Sequence, residues 1–104
     1  MSKHRQCKTV RCANGLSLSV QASSRHYSDP KNDTGPYTHV EVGFPTRPVP
    51  ELIPYAECLS PDDYTDAVYA YVPYDIVRQV IYVRGGMIEG ELPPPAEEAA
   101  KIKL

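Results

Sequence analysis

Leu16, Leu18, Val20 and Ala22 alternate with Ser17, Ser19 and Gln21, and this run follows directly on an Asn14-Gly15 pair. Strict alternation is the period of a strand with one face in water, and Asn-Gly between such runs signals a hairpin. Two registers compete. A two-residue turn pairs Ala13 with Leu16 and sets Arg11 beside Leu18, a charge on the apolar face; a three-residue turn, Ala13-Asn14-Gly15, pairs Cys12 with Leu16 and Val10 with Leu18. The second keeps one face apolar and asks only that Gly15 adopt a left-handed conformation, which glycine does without steric cost. A hairpin of roughly Cys7 to Cys12 and Leu16 to Ala22 is therefore expected, with one side to be buried.

Two further stretches carry the same period. From Tyr37 to Phe44, Thr38, Val40, Val42 and Phe44 alternate with Tyr37, His39, Glu41 and Gly43. From Ala67 to Val72, Val68, Ala70 and Val72 alternate with Tyr69 and Tyr71. Between them Pro45, Pro48, Pro50 and Pro54 forbid continued ladder pairing and predict an extended connection, with one helical turn near Glu51 to Ala56. Pro73 suits a first helical position. The helix it opens carries Asp75 in its first turn, Arg84 in its last and Gly85-Gly86 as its stop, with Ile76, Val77, Val80 and Ile81 on one face. Met87 to Leu92 adds a short edge strand. The expected fold is α+β, a small, mainly antiparallel sheet of three to five strands with one α-helix packed on one face. Residues 1–92 form its single domain, and 93–104, opened by Pro93-Pro94-Pro95, a tail that is a short helix or disordered.

The chain has 104 residues, which allows one small core burying about 60–70% of the unfolded surface. Its net charge of −2, with both signs interspersed, argues against nucleic-acid binding driven by phosphate contacts and against an acidic DNA mimic. No apolar run approaches the roughly 20 residues of a spanning helix, and the first residues lead into polar sequence instead of a signal-peptide core. A cytoplasmic protein without a membrane partner is expected. Cys7, Cys12 and Cys58 are an odd number of thiols, which fits a reducing compartment and free cysteines.

Candidate sites follow from the faces and loops. If the helix covers the apolar face, Tyr37, His39, Glu41, Tyr69 and Tyr71 point the other way. Tyrosine offers rigid contact area with a polar tip, which suits a protein partner or a homodimer; the same rings also suit cross-strand packing with no partner. The loop Ser23 to Pro36 adds Arg25, His26, Tyr27, Ser28, Asp29, Lys31, Asn32 and Asp33, in the kind of segment where functional groups concentrate. His26 with Asp29 and Asp33 is the constellation of a small hydrolase or ligand site, His26 being the base by its titration range. No nucleophile elbow accompanies it, and Ser, Asp, Asn, Pro and Gly are ordinary turn formers. Cys7 and Cys12, with His4, His26, His39 and Cys58 elsewhere, supply metal-ligand types, but the chosen register sends the two thiols to opposite faces. Gly85-Gly86 follows a helix where a phosphate loop precedes one. No metal and no cofactor are expected. The segment Phe44 to Tyr55 is stiffened by its prolines, and Leu52, Ile53 and Tyr55 fit it for covering the edge of its own core ahead of docking on a partner.

The series Ser19-Val20-Gln21-Ala22-Ser23, His26-Tyr27-Ser28-Asp29-Pro30, Gly35 to Pro45, Pro54-Tyr55-Ala56-Glu57 and Tyr71-Val72-Pro73 resembles a group of short uncharacterised proteins carried by bacteriophages and prophages. The resemblance spans about residues 16 to 86. It implies a setting, an accessory protein in a bacterial cytoplasm, and transfers no activity to any residue. The expectation that results is a non-enzymatic phage accessory protein that binds a host or phage protein, blocking host machinery or a defence system. Its expected binding residues are Tyr37, His39, Tyr69 and Tyr71 with Arg25, His26, Tyr27 and Asp33. The alternatives are the His26 hydrolase or ligand site and a homodimeric virion or assembly component.

Overall fold

Gly15 has φ +100°, and the turn it allows closes with the Gly15 N–H on the Cys12 carbonyl and the Cys12 N–H on the Leu16 carbonyl. The hairpin register is Val10 opposite Leu18, as the one-sided apolar pattern requires. The computed structural model describes residues 6–58 and 67–96. In it β1 (Val10–Cys12) and β2 (Ser17–Gln21) are followed by β3 (His39–Gly43), a 3-10 helix (Pro50–Tyr55), β4 (Ala56–Cys58), β5 (Val68–Pro73), the helix α1 (Tyr74–Tyr82) and β6 (Met87–Glu89). The strands form one antiparallel sheet in the order β4-β5-β3-β2-β1-β6. The architecture is α+β. Six strands exceed the three to five expected; β4 lies in Ala56-Glu57-Cys58, three residues too short to show an alternation.

Val10, Leu18, Val20, Val40 and Val42 face one buried cluster, which also contains Val77, Val80 and Ile81 of α1 and Leu52 of the 3-10 helix. The helix ends as its glycines dictate. Gly85 and Gly86 both have positive φ, and their N–H groups bond to the Tyr82 and Ile81 carbonyls, the pairing of a Schellman cap. That cap receives the hairpin turn: the Asn14 N–H donates to Arg84 O and the Ala13 N–H to Gly86 O. The proline segment covers its own domain, with Pro45, Val49 and Leu52 buried and Thr46 exchanging two hydrogen bonds with the Ser17 backbone.

Two expectations about faces are corrected. Val40 pairs with Val72 and Val42 with Tyr69, so two residues of β5, Ala70 and Tyr71, oppose the single residue Glu41. This is a β-bulge, and it resets the alternation. Tyr69 and Val72 both enter the core, Tyr69 fully buried, while Tyr71 is exposed. Tyr37 is also buried; its N–H donates to Pro94 O and its carbonyl accepts from the Ala96 N–H. Tyr37 and Tyr69 therefore leave the open face to which simple alternation assigned them. Phe44, read as inward, lies beyond the last strand residue with φ +55° and is 58% exposed.

Contacts extend past residue 92, where the sequence reading ended the domain. Pro93 is buried and accepts a hydrogen bond from the Tyr74 hydroxyl, so packing continues through Ala96. Residues 97–104 of the expected tail, and His4 among the candidate ligands, lie outside the described residues. Among the described residues no helix is long and apolar enough to cross a membrane.

Candidate functional site

Glu41 alternates with the core residues Val40 and Val42, so it stands on the polar face of the sheet beside Ser19 and Gln21 of β2. A pocket of about 100 Å³ opens there, lined among the described residues by Gln6, Ser19, Gln21, His26, Glu41, Gly43, Phe44 and Val68. Of these, Gln21 is fixed by its amide, which accepts the Cys7 N–H and donates both to Cys7 O and to Ser19 Oγ. His26 is fixed by a 2.6 Å hydrogen bond between Nδ1 and Ser23 Oγ.

The loop after β2 adds a second feature to this face. Tyr27 and Tyr71, 37% and 44% exposed, set their rings 5.8 Å apart at 50°, an arrangement aromatic pairs favour. The Tyr71 N–H, freed by the bulge, donates to Tyr27 O, and the Lys31 ammonium lies 5.5 Å from the Tyr27 ring centre. The same loop bridges to β3 through Asp29 and His39 and contains cis bonds at Asp29-Pro30 and Gly35-Pro36. Ser28, fully enclosed, ties it together by donating to Ser23 O and accepting the Ser23 N–H.

The expected site residues thus separate into groups. Tyr27 and Tyr71 come together, His26 lines the pocket at Glu41, and His39 lies beside Asp29. Arg25 is exposed on the loop. Tyr37 and Tyr69 are in the core. Asp33 accepts hydrogen bonds from the Ser24 N–H and hydroxyl and lines a different cavity. Of the three residues of the hydrolase reading, Asp29 stands 3.9 Å from His39, His26 bonds to Ser23 and Asp33 to Ser24. Ser23 and His26 do make a serine–histidine contact, with Ser23 completely buried and its hydroxyl also accepting the Arg25 N–H.

The larger cavity, about 470 Å³, is lined by Cys7, Asp33, Tyr37, Glu91 and the Pro93-Pro94 segment among others. Its volume suits a metabolite, yet its polar groups hold the fold. Asp33 anchors Ser24, Glu91 Oε1 accepts the Lys8 N–H, and the Tyr37 hydroxyl donates to Asn32 O. Burial, with Asp33 and Cys7 nearby, raises the Tyr37 hydroxyl above its ordinary range. Among the described residues no three His, Cys, Asp or Glu side chains converge as a metal site would need.

Sequence reasoning had placed Glu41 on this face but missed its neighbours Ser19 and Phe44. Ser19 was legible as the β2 residue opposite Gly43, two positions along from the Glu41 partner. Phe44 was not, because its reversal depends on a left-handed backbone. No family model, no curated protein and no solved structure matches this chain.

Proposed function

We propose that this chain is a non-enzymatic protein-binding module, an accessory protein of phage type acting in a bacterial cytoplasm, which docks a host or phage protein on the polar face of its sheet. The apolar face shares one buried cluster with Val77, Val80 and Ile81 of α1, which supports the polar face as the side that meets a partner. The single observation that carries the reading is the exposed Tyr27–Tyr71 pair, held by a backbone hydrogen bond with Tyr71 at φ +51°. A non-glycine residue in that region is costly, and such strain concentrates at functional sites. Rigid exposed tyrosines are the residue type that anchors protein interfaces. The phage-like sequence pattern supports the setting, and interference with host machinery is the role that goes with it.

The test compares wild type with Tyr27→Ala/Tyr71→Ala in a tagged capture from bacterial lysate, alongside thermal melting. The expected outcome is a protein retained by wild type and lost from the variant, whose melting point stays within about 4 °C. Identical captures would remove the face from consideration. A melting point lowered far beyond that range would make the rings packing elements.

A further inference from the structure

The pocket at Glu41 has a chemistry of its own, and reading it rests on the protein-binding assignment above. At about 100 Å³ it is smaller than the roughly 300–1,000 Å³ of small-molecule sites, so it fits one side-chain head group. Most of its polar atoms are engaged: the Gln21 amide with Cys7 and Ser19, and the His26 Nδ1 with Ser23. Glu41 differs. The residue is only partly exposed, and among the described residues none gives its side chain a hydrogen bond or an ion pair. A carboxylate that lines a pocket without donors gains most from a charged donor that brings several N–H groups at once.

Phe44 narrows the choice of cation. With φ +55° it lines the same pocket and is 58% exposed, so a planar cation can stack on its ring. A guanidinium combines both demands, offering a fork of donors to a carboxylate and a flat face to an aromatic ring, while an ammonium is a compact, strongly hydrated point charge. We infer that this pocket receives an arginine side chain of the partner protein, its guanidinium bonded to Glu41 and stacked on Phe44. Tyr27 and Tyr71 then supply contact area beside a charged anchor.

The experiment titrates the full chain with N-acetyl-arginine N-methylamide while following backbone amide resonances. The lysine counterpart and the neutral citrulline counterpart serve as comparisons. The arginine probe is expected to move the amides of Glu41, Phe44 and Val68, and the citrulline probe to leave them in place. Glu41→Gln, which keeps the side-chain shape, is expected to weaken the response about tenfold, equivalent to 1.4 kcal/mol. Phe44→Leu, which keeps an apolar rim without the ring, is expected to weaken it several-fold and decides the matter if Glu41→Gln does not fold. No response, an equal response to lysine or citrulline, a response mapped to another surface, or one unchanged in both variants overturns the inference. The probe is a small molecule, so its failure leaves the lysate capture by the tyrosine pair standing. Loss of that capture result likewise leaves the probe result standing.

Discussion

A Cβ added at Gly90 would lie 2.4 Å from the Thr9 carbonyl oxygen and 2.6 Å from the Val10 Cα, with φ +112° besides. Both neighbours are backbone of the segment leading into β1, so neither yields by a rotamer change. Gly90→Ala is expected to cost about 3 kcal/mol, from overpacking and an unfavourable φ together. Gly86→Ala, where φ is +88° and nothing lies within 4 Å, is expected to cost about 1 kcal/mol; denaturant titration of the two variants checks the order. Gly15 was legible because its neighbours require a turn. Gly90 was not, since its need arises from a strand far away in the chain. Tyr71 belongs with Gly90: nothing in Ala70-Tyr71-Val72 announces a left-handed residue, and the bulge exists because it lets the large Tyr69 ring join Val72 in the core.

Between elements, the clearest device is the two-pronged contact of Arg84 with Glu51, at 2.9 and 3.1 Å, which fastens the end of α1 to the 3-10 helix. Arg84 also donates to Val80 O, so the cation completes the last helical turn. The Arg84 hydrogen bonds hold the Glu51 carboxyl below its usual range, against the opposing effect of its partial burial. A depressed carboxyl stabilises the fold above its unfolded-state pKa, and that contribution fades as pH falls through the folded-state value. Glu51→Gln is expected to lose about 1 kcal/mol at neutral pH. The difference from wild type should shrink towards zero on acidification below the ordinary glutamate range, as chemical denaturation across that range would record. The helix itself was legible from Asp75, the apolar spacing and Gly85-Gly86. Its partner was not, because Glu51 lies in a proline segment with no period to place it.

For the whole molecule, the decisive connection is between the last described residues and segments far earlier in the chain. The Glu91 N–H donates to Lys8 O, Tyr37 exchanges backbone bonds with Pro94 and Ala96, and the Tyr74 hydroxyl donates to Pro93 O. Burial pushes the Tyr74 hydroxyl well above its ordinary range, so it remains a donor. Ending the chain after Leu92 is expected to destabilise it by about 3 kcal/mol, since it strips partners from two buried tyrosines in a small core. Tyr74→Phe, which removes one of those bonds, is expected to cost about 1 kcal/mol, and thermal melts of both proteins check the ranking. Local pattern by itself determined the hairpin and its register, the positions of β3 and β5, and the helix with its glycine stop, because each is fixed by alternation, turn chemistry or capping within a few residues. Tertiary structure alone decided which tyrosines face outward, that Pro93 to Ala96 belongs to the fold, and that Glu41, His26 and Phe44 share a pocket. A single bulge reverses every side chain beyond it, and only the competition for core volume among distant strands determines where that bulge falls.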